Sequence, residues 1–513
     1  MSEGNGLPRG WAEAPLSMSC EKIQDGTHFS PAQDSQKASG TFPYVTAKNV
    51  RPWGMDLDSL TYLEEPEHRP IYERCDARKG DVLLVKDGVN AGDACVNTID
   101  GEVSLLSSVC MIRPRGDLLD ARFLRYYLLS PQAYRSLTGQ MTGTAIKRII
   151  LAKVRATESP IAPLPEQHRI VEKIEELFSD LDAGVASLER AKANLKRYRA
   201  SVLKSAVEGR LTEEWRKEHP QAEDGQILLD RILRERREKW EKDQLAQFKK
   251  KGKEPPKNWQ SKYKEPSAPD TSHLPKLPEG WVWASLEAVA DVTGGITKDK
   301  KKDSLPGMRE VPYLRVANVQ RGFLDLSEMK DIKASPEDIA ELALRKGDVL
   351  FTEGGDRDKL GRGWVWSEEL SECIHQNHIF RARLLSSGIQ PTLVSHHGNT
   401  FGRQWFTKAG KQTTNLASIN LGILKQFPVP IPPPAEQEQI VALVDERLSQ
   451  IDSAEKTINQ ELIRSKRLRQ SILKRAFEGK LVAQNHNDEP ASVLLERIKA
   501  TRNQERPKKV KSK

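Results

Sequence analysis

Pro160-Ile161-Ala162-Pro163, followed by Glu166-Gln167 and a long helical pattern, returns as Pro430-Ile431-Pro432-Pro433 followed by Glu436-Gln437. From these prolines to Leu211 and Leu481 the stretches align without a gap, and about 20 of ~52 positions are identical, too many for chance. Working outward, Leu7-Pro8-Arg9-Gly10-Trp11 is echoed by Leu277-Pro278-Glu279-Gly280-Trp281. Pro43-Tyr44 with Asn49-Val50 returns as Pro312-Tyr313 with Asn318-Val319, and Arg78-Lys79-Gly80-Asp81-Val82-Leu83 recurs unchanged at Arg345 to Leu350. Leu228-Leu229-Asp230-Arg231-Ile232 corresponds to Leu494-Leu495-Glu496-Arg497-Ile498. One chain is written twice, with a period far longer than that of a solenoid.

Each copy has two parts. The first mixes short apolar runs, Gly-Asp turns and scattered aromatics, which reads as a mixed α/β globule, with Val82-Leu83-Leu84-Val85 and Val349-Leu350-Phe351 as buried strands. The second is a long helix. Prolines precede it, Glu166 or Glu436 places negative charge in its first turn where the helix dipole favours it, and Gly209 or Gly479 stops it. Ile170, Ile174, Leu177, Leu181, Leu188, Ala191, Leu195, Tyr198 and Val202 form a heptad seam, and Ile440, Val444, Leu448, Ile451, Ile458, Leu462 and Ile472 a comparable one. For one such helix an ordinary amphipathic packing competes. Two matched helices favour mutual pairing, and connectivity makes the pair antiparallel.

The expected fold is α+β: two similar mixed α/β heads separated by an antiparallel coiled coil about 60 Å long, a pseudo-two-fold dumbbell. The expected segments are a first head over 1–159 and its helix over 160–211. A charged helical insertion and Pro-rich linker follow at 212–276, then the second head (277–429), its helix (430–481) and a short helix with a basic tail (482–513). Within the insertion, Leu228 to Phe248 reads as a solvated helix, because a charge run is usually a solvated face.

The 513 residues carry 81 Lys and Arg against 72 Asp and Glu, a net charge of +9 that favours a polyanionic partner without proving one. Five cysteines without a C-x-x-C pair give neither a disulfide framework nor a zinc knuckle and fit a reducing cytoplasm. No signal segment and no apolar run of membrane-spanning length is visible, so no membrane partner is expected.

The unit of Pro-rich entry, Glu-Gln, heptad helix and the endings Ser201 to Leu211 and Ser471 to Leu481 resembles the helical regions of type I restriction–modification specificity subunits. The Leu-Pro-x-Gly-Trp openings and Gly-Asp-Val-Leu runs are similar to the entry and core of that family's target-recognition domains. The resemblance covers nearly the whole chain, twice over. It implies that each head reads one half of a bipartite, asymmetric DNA target while the helices set the unread gap. It also implies two methyltransferase subunits, which methylate adenine with S-adenosylmethionine, and restriction subunits, which use ATP and Mg to translocate and cleave. No cofactor is expected on this chain itself.

A self-sufficient adenine methyltransferase would need an Asn-Pro-Pro-aromatic motif, and an ATPase a P-loop; neither occurs. Gly294-Gly295 and Gly354-Gly355 are turns without the rest of a phosphate-binding fingerprint. His375, His378, His396 and His397 cluster in sequence, but their spacing fits no zinc template, so they read as loop and core histidines. No catalytic or metal residue is assigned. The alternative from another class is a two-headed coiled-coil scaffold binding RNA or protein, which would show no sequence-specific duplex binding.

Contacts to duplex DNA should come from Lys and Arg at phosphates and from Arg, Lys, Asn and Gln at base edges. In the first head the candidates are Lys48, Asn49 and Arg51, then Lys86 and Asn90, then Thr142, Thr144, Lys147 and Arg148. In the second head they are Lys298, Lys300, Lys301 and Lys302, then Arg315, Asn318, Gln320 and Arg321, then Arg357, Lys359 and Arg362. Ordinary surface charge is the competing reading for each. Asn49 and Asn318, repeated in both heads, also fit structural turns, because reading different half-sites calls for divergence.

Overall fold

The computed structural model describes residues 7–139, 148–220, 223–298, 306–355, 359–412 and 417–505. Contacts group the chain into two compact units, Met1–Arg190 with Ile458–Lys513, and Ala191–Thr457. The two long helices, Leu164–Val207 and Pro434–Phe477, each contribute to both units.

In the first unit the strand Ala12–Pro15 pairs antiparallel with Glu158–Ile161, tying the two ends of the head together. Between them lies a four-stranded antiparallel sheet in the order Cys20–Asp25, Val109–Pro114, Val82–Val85, Ala94–Val96. Side chains alternate across a strand. Val82 and Leu84 therefore enter one apolar core and Leu83 and Val85 another, which is why the run is continuously apolar. A second sheet, Thr61–Leu63, Phe42–Val45, Ser104–Leu105, has one antiparallel and one parallel pairing.

The second unit repeats this plan. Val282–Ser285 pairs with Pro428–Ile431, and Ala290–Thr293, Ile379–Leu384 and Val349–Thr352 form the main sheet. Lys330–Ala334, Arg309–Leu314 and Ile374–His375 form the second sheet, again with one parallel pair. Phe351 faces one core and Leu350 another.

Both units pair the start of one long helix with the end of the other. In the first, Ile170, Val171 and Ile174 share a core with Ile472, Leu473 and Phe477, and Asp182 is paired with Arg469. In the second, Ala206 and Val207 meet Ile440 and Val444, and Arg199 reaches Asp452 at 2.5 Å and Glu455 at 3.2 Å. Start against end is antiparallel pairing, the sense that the connectivity implies.

The stop glycines show how tightly this exchange is built. Gly209 has φ +70° and lies against Pro278; a Cβ there would sit 2.5 Å from the proline ring. Gly479, with φ +65°, lies against Pro8 in the same way and leaves no room for a Cβ. The recurring stop glycine and the recurring Leu-Pro-x-Gly-Trp opening are thus two sides of one joint, and each helix ends on the entry loop of the other repeat. The following helices dock on the same loops: the Gly225 amide donates to the Gly280 carbonyl and the Ala491 amide to that of Gly10, both at 2.9 Å.

One local expectation is extended and one is corrected. Glu166 and Glu436 do more than complement a dipole: both are buried, and they accept the indole N–H of Trp11 (3.1 Å) and Trp281 (2.8 Å). Gln167 and Gln437 beside them are buried too, and each bonds to backbone of its own head. The insertion helix, Gly225–Lys250, is not solvated throughout, because Leu228, Leu229 and Ile232 enter the second unit's core. The tail from Lys508 lies outside the described residues.

Candidate nucleic-acid interface

In both heads the turn that carries the candidate asparagine is built alike. Asn49 accepts the Thr46 amide at 2.9 Å and donates to the Asp56 carbonyl at 3.1 Å. Asn318 accepts the Arg315 amide at 2.9 Å and donates to the Asp325 carbonyl at 2.9 Å. Both are buried. They are turn brackets, and their hydrogen-bonding groups are already engaged. Each bracket presents a two-stranded hairpin, Val50–Arg51 with Gly54–Met55, and Val319–Gln320 with Phe323–Leu324.

The hairpin tips differ. In the first head the tip carries Trp53, 76% exposed, beside exposed Lys48 and half-buried Arg51. Arg125 fixes this tip by donating to the Pro52 carbonyl at 2.6 Å. In the second head Arg321 turns back to the Asn399 carbonyl at 2.9 Å, and Phe323 is the exposed apolar group. Gln320 donates to the Ala317 carbonyl, and Arg315 to that of Glu328.

In the second head another loop joins the hairpin. Buried Arg362 donates to the Val316 carbonyl at 2.9 Å, and Asn399 clasps Gly363 through both its amide and its carbonyl. The structure therefore gathers Arg315, Gln320, Arg321 and Arg362 into one loop cluster, with Lys359 on the same Gly-rich loop. Arg362 is 9% exposed and braces that cluster from within. Lys298 is exposed beyond the bridge between Ile296 and Gln376. In the first head Arg148 pairs with Asp87 at 3.0 Å, which brings it to the loop of Asn90 and fully exposed Val89.

Lys86 is misplaced in the candidate set. It is 4% exposed, and its ammonium lies 2.8 Å from Asp25 inside the head. Burial pushes the Asp25 carboxyl up, yet the hydrogen bonds from Lys86 and Arg74 outweigh it and hold it below the usual range. This is an interior ion pair. Thr142, Thr144, Lys147, Lys300, Lys301, Lys302 and Arg357 lie outside the described residues. Sequence reading passed over Trp53, Val89 and Phe323; an apolar residue in a Gly- or Pro-flanked turn is the signal that could have found them.

The Gly-Asp turns rest on a partner that sequence reading also missed. Asp81 takes two hydrogen bonds from Arg113 (2.8 and 2.9 Å) and Asp348 two from Arg383 (2.8 and 2.7 Å), locking each turn to the neighbouring strand.

Reactive chemistry has little foothold. All five cysteines are buried and none is in a disulfide, and burial raises the thiols of Cys75 and Cys373 to about 12 and of Cys95 to about 11. Such thiols are not nucleophiles at neutral pH. Burial lowers His375, His396 and His397 to about 4, with His375 also bonded to the Ile379 carbonyl and His397 to that of Pro428. Among the described residues no group of three or more His, Cys, Asp or Glu could hold a metal ion, and no helix is long and apolar enough to cross a membrane.

The same frame thus occurs twice along the chain, each time carrying loops rich in exposed polar and basic side chains. The model of the type I restriction modification DNA specificity domain matches residues 8–190 and 278–464, and the chain belongs to that family, carrying its domain twice as a recognition component rather than a catalytic one. It is 26% identical to the type I restriction enzyme EcoKI specificity subunit of Escherichia coli (strain K12), over 98% of this chain and 97% of that protein. It is similar in fold to a chain from a study of complex assembly and conformational transition of the type I R-M system (TM-score 0.62, 19% identity, 92% of this chain and 99% of that one). The HsdS subunit from Thermoanaerobacter tengcongensis is also similar (TM-score 0.53, 18% identity, 93% and 99%).

Proposed function

We propose that the two heads read the two blocks of a bipartite, asymmetric duplex DNA target, one block each. In this reading two methyltransferase subunits dock on the repeated helical surface and methylate adenine with S-adenosylmethionine. Restriction subunits join through the same complex and use ATP and Mg to translocate and cleave, all in the cytoplasm.

One observation carries the reading: the scaffold recurs while the tips diverge. Asn49 and Asn318, the Asp81–Arg113 and Asp348–Arg383 locks, and the Trp11–Glu166 and Trp281–Glu436 pairs are equivalent. The exposed groups beside them, Trp53 and Lys48 in one head and Phe323 and Lys298 in the other, are not. Equal frames with unequal tips suit two different half-sites. Lys48, Arg51, Asn90, Arg148, Lys298, Arg315, Gln320, Arg321 and Lys359 are the described candidates for contact. Thr142, Thr144, Lys147, Lys300, Lys301, Lys302 and Arg357 remain in the proposed set on their sequence alone.

The test is an exchange of residues 277–425 for those of a relative, with the cognate methyltransferase co-expressed and methylated adenines mapped genome-wide. One block of the target should change and the other stay. Methylation that ignores the exchange overturns the reading and favours a scaffold for RNA or protein.

A further inference from the structure

The insertion and the C-terminal helix begin as structural twins and then part company. Leu228, Leu229 and Ile232 pack into the second unit as Leu495 and Ile498 pack into the first. That contact accounts for the first turns of Gly225–Lys250. Residues 225–264 hold thirteen Lys and Arg against six Asp and Glu, a net +7 in a chain whose total is +9.

The chain after this helix folds back along it. Trp240 stacks on Trp259 at 5.8 Å between ring centres and meets Tyr263 at 5.3 Å, while Phe248 closes edge-on against Trp259. Arg236 donates to the Tyr263 hydroxyl at 2.9 Å. Between this braced strap and the strand Ala290–Thr293 lies a cleft of about 490 Å³. Its cations are Arg236, Lys239, Lys262, Lys264 and Lys425; its acids are Asp243, Glu287 and Asp291. Glu287 is occupied by the Ser267 amide and Gln426. Among the described residues Lys239, Lys262, Lys264 and Lys425 form no ion pair with any carboxylate.

We propose that this cleft of the insertion binds the sugar-phosphate backbone of duplex DNA outside the two blocks that the heads read. A flat solvated charge run has no reason to carry four aromatic side chains that fold it back on itself. The aromatic brace fixes the strap that carries Lys239, Lys262 and Lys264 beside the cleft and lowers the entropy lost on meeting a polyanion. The contact is sequence-independent, because lysine ammonium groups at phosphates carry no base information. The inference rests on the DNA reading above and extends it to flanking duplex.

The experiment uses the full chain assembled with its methyltransferase partners and measures binding to the target with long flanks across a range of salt. The triple variant Lys239→Gln, Lys262→Gln, Lys264→Gln should lower the log–log salt slope by about 2.7. The affinity ratio between about 50 and 200 mM salt should then shrink by about 40-fold, at roughly 0.9 per lost phosphate contact. The methylated sequence should stay the same. Asp243→Asn, which removes an acid from the cleft, should tighten binding. An unchanged slope in the triple variant overturns the proposal. So does loss of methyltransferase assembly with DNA affinity intact, since the cleft would then face an acidic protein surface. Random-sequence duplex should show the same slope change. A wild-type complex that selects no sequence would instead sink the two-block reading, so the two failures are separable.

Discussion

Glu166 and Glu436 occupy equivalent places, yet their surroundings give them opposite expected signs. Glu436 accepts Thr212 at 2.6 Å and Arg216 at 2.8 Å in addition to Trp281, whereas Glu166 has Trp11 and no arginine in hydrogen-bond contact. Burial pushes the Glu166 carboxyl above its ordinary value, with the Trp11 bond opposing. A raised folded pKa means that stability is lost as pH rises from the unfolded value, near 4.5, through the folded one. Glu166→Gln should therefore raise the melting temperature at pH 7, with the gain shrinking towards pH 4. Glu436→Gln strands Arg216 and should cost about 1–3 kcal/mol at the same pH. Equal effects of the two substitutions in thermal denaturation would contradict this account.

The buried histidines of the second unit impose a second pH dependence. Each is neutral in the folded chain down to about pH 4 and takes a proton near 6.5 once unfolded. Stability should fall between those values, with as many as three protons taken up on unfolding, read from the urea midpoint against pH. A flat profile from pH 6.5 to 4.5 is the contrary result. The sequence reads these four as loop and core histidines; which are which comes only from the fold, with His375, His396 and His397 buried and His378 exposed. Lys86 shows the same limit: its partner Asp25 is 61 residues away, so nothing local distinguishes it from a surface lysine. Lys86→Ala should cost about 3 kcal/mol by leaving a buried carboxylate short of a partner.

Among the elements, the long helices were the most legible, because a period near 3.5 sustained over tens of residues has one physical meaning. Less legible was what each helix end packs on. Phe477 lies edge-on to Phe123 at 5.1 Å and Tyr127 at 5.3 Å, residues more than 300 positions earlier. Arg469 sits 4.5 Å over the Phe178 ring. Phe477→Ala should cost about 3–5 kcal/mol in the first unit. Leu468→Ala, on the exposed face of the same helix, should cost less than about 0.5. Hydrogen exchange of the first head would separate these outcomes, and comparable effects would argue against the assigned faces. The Gly-Asp turns were legible as strand entries; the arginines that lock them were not, since pairing across a sheet is a property of register rather than of local sequence.

For the whole molecule, duplication and the antiparallel helix pair were legible in the sequence, whereas the joints in which each helix end packs emerged only from contacts. The first unit takes in Ile458–Lys513, so a chain cut after Thr457 loses part of the wall of its N-terminal head. Such a truncation should expose the first head to limited proteolysis and leave the second protected. The reverse pattern would mean that each half is complete without the other's helix.

The joint between Pro8 and Gly479 also governs the order in which the chain can finish folding. Domains ordinarily mature from the N-terminus as they leave the ribosome. Here the contiguous unit Ala191–Thr457 can close as soon as its own residues have emerged, whereas the N-terminal head must wait for Ile458 and the residues after it. During that interval the apolar surface around Phe123 and Ile174 stands open to solvent, a window in which a nascent chain would call on chaperones.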